Sequence, residues 1–352
     1  MTKFRMLATA TAAVVTASFS MTLAVAQLAP SHQAAHALYD VLSASPQPRD
    51  RALAAWMIVP KTDDERSMRR VAFAFAAAAA PKDVLVQWLA ANAIGGCPKA
   101  PEDTATLRLF RQLEPDNAAG NLLQLNHTAA CGDNVRIGAT LGEMAHAKRF
   151  DSHFGLTVQA WLDVLSTKPS AKALLQADAV TGKQLDPLSL ALNYATVAAE
   201  PDFTPLLDAC PKGSLTNASV CAKIGHILAY TSKTALDRAI GFNLIERSDA
   251  MTASDKVALR ELHWLMSPPS GKQLPAEMGR IIAIGWSHSD DEIQILRQAF
   301  GAGDLPLTPP ANWVDPVGKQ PAHAGEPPAT KLPHWSAPTG SQQPPPANKL
   351  SH

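Results

Sequence analysis

Residues Leu113 to Ala147 read LEPDNAAGNLLQLNHTAACGDNVRIGATLGEMAHA. Pro115 cannot continue a preceding helix, and Asn117 two positions later is a suitable N-cap for a new one. Gly132 and Asp133 give a turn signal where that helix should end. A second apolar helical face follows, formed by Ile137, Leu141 and Met144. The stretch therefore predicts two helices joined by a tight turn.

The interval from the proline to the Gly-Asp turn resembles one unit of the tetratricopeptide family of helical repeats, over about residues 113–147. Asn121 stands where that family prefers tryptophan, and Ile137 and Met144 replace small residues. The same phase does not recur elsewhere in the chain. The resemblance implies degenerate stacked hairpins, and a stack of that kind has a concave surface suited to binding a protein or peptide.

Helical periodicity continues through the rest of the chain after Ser31. One apolar face is formed by Phe154, Val158, Trp161, Leu162 and Leu165. Residues 71–76 alternate like a strand, but the alanine run that continues to Ala80 favours a helix because alanine is the strongest helix former. Prolines recur at short intervals and divide the chain into short segments. We therefore predict an all-α fold of stacked antiparallel helical hairpins, similar to an α-solenoid.

Local signals predict where several helices begin. Two stretches fit the capping-box pattern, in which a hydroxyl and a carboxylate each satisfy a free backbone N–H: Thr62 with Glu65, and Ser289 with Glu292. Asp151 is predicted to be the N-cap of the helix that starts near Phe154.

The N-terminus has the three parts of an export signal. Lys3 and Arg5 precede a long apolar stretch that ends in an Ala-Val-Ala cleavage pattern at residues 24–26. An uncleaved membrane anchor is the alternative, since about 20 apolar residues can span a bilayer. The Ala, Thr and Ser content and the position of the cleavage pattern favour removal of residues 1–26. The mature protein is then expected to be periplasmic or secreted, with no membrane span.

Charge and composition argue against several classes of partner. The chain has 31 basic and 31 acidic residues, and loss of Lys3 and Arg5 with the signal would leave a net charge of −2. A protein that neutralises phosphates needs a basic excess, so no nucleic-acid partner is expected. The chain has neither a phosphate-binding loop nor a dinucleotide fingerprint. No cofactor is predicted.

Four cysteines remain after the signal, an even number that suggests two disulfides in an exported protein. The helices predicted to end near Ile94 and Cys131 finish at the same end of a stack, which would bring Cys97 and Cys131 together. Cys210 and Cys221 flank a short loop and form the other plausible pair. Three pairings remain open in principle, and free buried thiols are the alternative.

Residues 303–352 differ from the helical body, predicted as residues 27–302. They contain twelve of the 28 prolines and have no helical pattern. Such a composition predicts a disordered or polyproline-II tail. Trp313 and Trp335 are its two tryptophans, whose side chains would either dock on the body or anchor a partner.

The nearest approach to a catalytic motif is the sequence Gly-Trp-Ser-His-Ser at residues 285–289. A nucleophile elbow around Ser287 would need a second glycine at Ser289 and a preceding strand, and the sequence predicts neither. His32 and His36 share one helix face at a spacing able to bind a metal, but a third ligand cannot be identified. No catalytic, cofactor or metal residue is therefore predicted.

Two functional hypotheses follow. The first is an exported helical-repeat protein that binds an unidentified protein or peptide in the cell envelope. The second is a cell-envelope hydrolase that uses Ser287 or a metal held by His32 and His36. The sequence favours the first, because its motifs for the second are incomplete.

Overall fold

A computed structural model describes residues 32–98, 101–175, 186–213, 217–267 and 276–316. These residues are mostly helical and contain no β-strand, so the predicted all-α class is confirmed for them. The predicted signal peptide at residues 1–26 and the tail beyond residue 316, with Trp335, lie outside the described residues. Among the described residues, no helix is both long and apolar enough to cross a lipid bilayer.

Sixteen α-helices form within these ranges. In chain order they are α1 (His32–Ser43), α2 (Pro48–Met57), α3 (Asp63–Ala79), α4 (Val84–Asn92), α5 (Pro101–Leu113), α6 (Ala118–Ala130), α7 (Asn134–Met144), α8 (Phe154–Thr167), α9 (Pro169–Leu175), α10 (Pro187–Ala199), α11 (Thr204–Ala209), α12 (Ala218–Thr231), α13 (Ala235–Arg247), α14 (Ala253–Met266), α15 (Ala276–His288) and α16 (Glu292–Ala302).

The hairpin predicted from residues 113–147 is present as α6 and α7. Asn117 caps α6 by accepting a hydrogen bond from the Ala119 backbone N–H at 3.1 Å. Gly132 turns the chain with a φ of 71°, a left-handed conformation that glycine adopts without steric cost. Asp133 then caps α7 by accepting from the backbone N–H of Arg136.

Of the other predicted helix starts, one is confirmed and two are wrong. Thr62 and Glu65 form the predicted capping box of α3. The predicted box of Ser289 with Glu292 is wrong, because Asp291 caps α16 and Glu292 accepts instead from the backbone N–H of Ala235 at 2.7 Å. Asp151 is likewise not the N-cap of α8. That position belongs to His153, which has a positive φ of 51°.

Neighbouring helices pack as pairs. In the pair of α12 and α13, the two backbones approach each other closely at a glycine. A Cβ atom on Gly241 would lie 2.3 Å from the backbone nitrogen of Ala229, so no larger residue fits there without moving α12. Contacts also reach beyond neighbours in sequence, because α8 packs against α10 and touches α2 and α15. Apolar side chains from most helices join one large core, and a second cluster lies among α13 to α16.

The four cysteines lie in two pairs at disulfide-bonding distance, Cys97 with Cys131 and Cys210 with Cys221. Their Cα atoms are 4.8 Å and 5.8 Å apart. The first pair joins the segment after α4 to the end of α6. His127 near that end also makes a 3.0 Å hydrogen bond to the carbonyl oxygen of Ile94. Such pairs are compatible with an oxidising compartment, while the periplasmic or secreted location stays a prediction.

Residues 303–316, the beginning of the predicted tail, lie against α14. The Trp313 ring meets Trp264 edge-on with centroids 5.4 Å apart. Arg260 lies over the Trp313 ring and donates to its backbone oxygen at 2.8 Å, and His263 contacts Asp315 at 2.6 Å. Of the two outcomes considered for Trp313, the structure shows docking on the body.

Candidate functional site

A shallow, open groove of about 530 Å³ lies over the α5–α6–α7 region, the part of the chain with the repeat resemblance. The turn between α5 and α6 provides Pro115, and α6 provides Asn121. The remaining polar lining comes from Arg111 on α5, Glu143 on α7 and His146 just after it. An enclosed pocket is the usual site for a small molecule, so an open groove that carries charged side chains suits an extended chain better.

Arg111 and Glu143 span the groove with an ion pair of 2.7 Å. Their side chains are 35% and 54% exposed. A pair at this exposure contributes only about 0–1 kcal/mol, because water screens it and both side chains lose freedom. Either group can therefore exchange its partner for a charged group on a ligand at little cost.

The other two polar side chains in the groove, Asn121 and His146, differ in how accessible they are to a ligand. Asn121 is 7% exposed and is fixed within the core of the hairpin. His146 is exposed, and its Nδ1 makes a 2.6 Å hydrogen bond to the carbonyl oxygen of Gly142 on the preceding turn. A nitrogen bonded to a carbonyl oxygen is the donor, so Nε2 of a neutral ring is an acceptor. The groove thus offers a cation, an anion and a neutral acceptor.

A second polar cluster is buried, and it centres on residues 149–153 before α8, which we call the central loop. His153 lies between two carboxylates, with 3.8 Å from its Nδ1 to Asp151 and 3.8 Å from its Nε2 to Glu114. Neither ring nitrogen has a hydrogen-bond partner within the described structure. The ring packs edge-on against Trp88 and Phe110, at centroid distances of 5.9 Å and 5.7 Å.

Burial controls the protonation of this cluster. It lowers the pKa of His153 below its ordinary value, and this outweighs the opposing fields of Asp151 and Glu114. Burial alone would raise the pKa of Asp151, but His153 and the hydrogen bond from Lys233 lower it further than burial raises it. The side chain of His153 is only 4% exposed, so a substrate would not reach it with the loop in place. These features indicate a structural role.

Three further carboxyl groups lie on the C-terminal side of the central loop. Burial raises the pKa of Asp237 to about 7 and that of Glu200 to about 8, with mutual repulsion among the carboxylates adding to both shifts. The pKa of Glu292 is also raised by burial. Ser152 donates a 3.0 Å hydrogen bond to Asp237 and so ties the central loop to α13.

Neither Ser287 nor His36 belongs to the groove lining or to the buried cluster. Ser287 lies inside α15, where its hydroxyl donates to the carbonyl oxygen of Ala283 at 3.4 Å, and within the described residues no strand precedes it. His36 is half-buried on α1, and the side chain of His32 lies outside the described residues. In the part of the chain that is described, no group of three or more His, Cys, Asp or Glu side chains has a geometry that could hold a metal.

Sequence reasoning did not single out Arg111 or Glu143, and it did not predict the buried cluster of the central loop. The first two belong to different helices, and no local motif links residues 32 positions apart. The positive φ of His153 also has no glycine or asparagine to signal it. No protein-family model matches this chain, and no curated protein or solved structure matches it either.

Proposed function

We propose that this chain is an exported helical-repeat protein that binds an extended peptide or protein segment in the cell envelope, through the α5–α7 groove. The observation that carries the proposal is the ion pair of Arg111 with Glu143 across an open groove. Stacking of the hairpins into a solenoid-like array belongs to the same proposal, as does the periplasmic or secreted location.

The chemistry of the groove indicates what it would recognise. Arg111 can pair with a carboxylate of the ligand, and Glu143 with an ammonium or guanidinium group. A peptide that carries both charges would replace one weak surface pair with two intermolecular pairs. Peptide N–H groups could add hydrogen bonds to the acceptor nitrogen of His146.

Photo-crosslinking from two positions on α7 tests the proposal. A photoreactive amino acid replaces Gly142, which lines the groove and has open space around an added Cβ, or Arg136, an exposed residue of α7 outside the groove lining, as the matched control. We expect a defined crosslinked partner from position 142 in cell-envelope preparations and not from position 136. An Arg111→Ala substitution should weaken that crosslink severalfold. Identical products from both positions, or none from either, would reject the groove as the binding site.

A further inference from the structure

An apolar face of α3 is exposed to solvent. Met68, Val71 and Phe75 are 52%, 66% and 63% exposed, and Ala78 is exposed one turn later. The opposite face of the helix is buried by Phe73, Ala76 and Ala77, with Phe73 packed edge-on against Trp56 of α2. The exposed apolar face is therefore additional to the one that holds α3 in the fold, and a contiguous face of this kind usually marks an interaction surface.

The spacing of this face is that of a coiled-coil seam. Its positions alternate steps of four and three residues, and the two ends are charged: Asp64, Met68, Val71, Phe75, Ala78 and Lys82. This is the a/d spacing of a heptad, which keeps one stripe facing a partner helix. Asp64 and Lys82 are both exposed, with Lys82 placed just after the helix ends. We call these six residues the α3 seam.

We infer that the α3 seam packs antiparallel against the α3 seam of a second copy of this chain, about a two-fold axis that crosses the seam midway between Val71 and Phe75. Antiparallel pairing sets Met68 opposite Ala78 of the second copy, and Val71 opposite its Phe75. Each large side chain then meets a smaller one. The same register brings Asp64 near Lys82 of the second copy at both ends of the seam, with Lys82 in the turn three residues beyond the end of α3.

Charge distinguishes this arrangement from its alternatives. A parallel pair would set Asp64 against Asp64 and Lys82 against Lys82, and like charges in contact are unfavourable. An anionic lipid surface would meet the acidic start of α3, where Asp63, Asp64 and Glu65 follow one another. A second copy packed antiparallel is the partner that brings opposite charges together at both ends of the seam.

The area that the α3 seam can bury sets the expected affinity of the dimer. Four apolar side chains per copy on one short helix bury an area at the low end for specific complexes, so we expect a weak dimer with a dissociation constant on the order of 10–100 µM. This inference does not depend on the α5–α7 groove, which lies on other helices.

Sedimentation equilibrium of the processed, purified protein over about 1 µM to 1 mM tests the inference, because a dimer of this strength dissociates within that range. Phe75→Glu should weaken dimerisation at least ~100-fold, since each interface contains that residue twice. Val135→Glu is the matched control, because Val135 is 91% exposed on α7 and lies outside the seam. It should leave the equilibrium unchanged. Circular dichroism would show that both variants remain folded.

A charge swap tests the antiparallel register. Asp64→Lys and Lys82→Asp should each weaken the dimer several-fold, and the double variant should restore it because the opposite charges face each other again. Protein that stays monomeric up to 1 mM would overturn the inference, as would a dimer that tolerates Phe75→Glu. Failure of the double variant to recover would overturn the antiparallel pairing. Binding of the monomer to phosphatidylglycerol vesicles, lost in Phe75→Glu, would reassign the seam to lipid.

Discussion

Lys233 and Lys148 form ion pairs in opposite surroundings. Lys233 contacts Asp151 at 2.9 Å and Asp290 at 2.6 Å, and Asp151 is only 8% exposed. Lys148 and Asp116 form a 2.9 Å pair at 75% and 55% exposure. Removing one member of a buried pair leaves an uncompensated charge, whereas water replaces an exposed partner.

We therefore expect Lys233→Met to destabilise the fold by about 2–4 kcal/mol, a value discounted because the lysine is itself partly exposed. Lys148→Met should cost less than about 1 kcal/mol. Urea unfolding at pH 7 measures both free energies of unfolding. Equal losses in the two variants would contradict a buried role for Lys233.

The raised pKa of Asp237 predicts a dependence of stability on pH. Its carboxyl group has a pKa of about 7 in the fold against 3.8 ordinarily, so the unfolded chain ionises more readily than the native one. This group therefore favours the fold fully below pH 3.8, and its contribution is lost as the pH rises through about 7. A pKa shift of this size changes the free energy of unfolding by at most about 4 kcal/mol.

Asp237→Asn should remove this penalty. The amide oxygen can still accept hydrogen bonds from the hydroxyls of Ser152 and Thr234. We therefore expect the variant to be more stable than the natural protein, with a gain that grows from pH 5 to pH 8 and reaches up to a few kcal/mol. Thermal or urea unfolding at both pH values measures the difference. Asp163→Asn on the exposed face of α8 controls for general loss of a negative charge. A gain for Asp237→Asn that is equal at both pH values would count against the shift.

At the scale of the helices, the α12–α13 contact depends on Gly241. Its neighbour across the contact is backbone, which cannot move aside as a side chain can. We expect Gly241→Ala to cost at least about 2 kcal/mol through overpacking. Gly138→Ala on α7 is the control, because nothing lies within 4 Å of the added Cβ and alanine favours the helix by about 1 kcal/mol. Chemical unfolding of the two variants should therefore show changes of opposite sign.

The same scale shows how far the sequence could predict this fold. Elements fixed by neighbouring residues were predictable, such as the α6–α7 hairpin and the capping box of Thr62 with Glu65. The role of Glu292 was not predictable, because its carboxylate accepts a hydrogen bond from a backbone N–H that lies 57 residues earlier in the chain. The groove and the conformation of His153 also depend on helices distant in sequence. Local propensity carries no information about such contacts.

At the scale of the whole molecule, the central loop is bonded to both halves of the chain. On one side, Asn117 accepts from the Asp151 backbone N–H and donates to its carbonyl oxygen. On the other, the Phe150 N–H donates to the hydroxyl of Thr231 at 2.9 Å. Gly155, at the start of α8, lies so close to the turn before α16 that a Cβ there would be 2.3 Å from the carbonyl oxygen of Asp290. These hydrogen bonds join residues 34 and 81 positions apart in the sequence.

A consequence of that loop concerns cooperativity. In a repeat array whose units touch only their neighbours, segments can melt separately. In this protein, unfolding of either half would leave the buried charges of the central loop without their partners. Partial unfolding therefore costs free energy. We expect one calorimetric endotherm whose van 't Hoff and calorimetric enthalpies agree. Two resolved endotherms would mean that the halves melt independently. Gly155→Ala, which pushes the start of α8 away from the turn before α16, should broaden or split the transition.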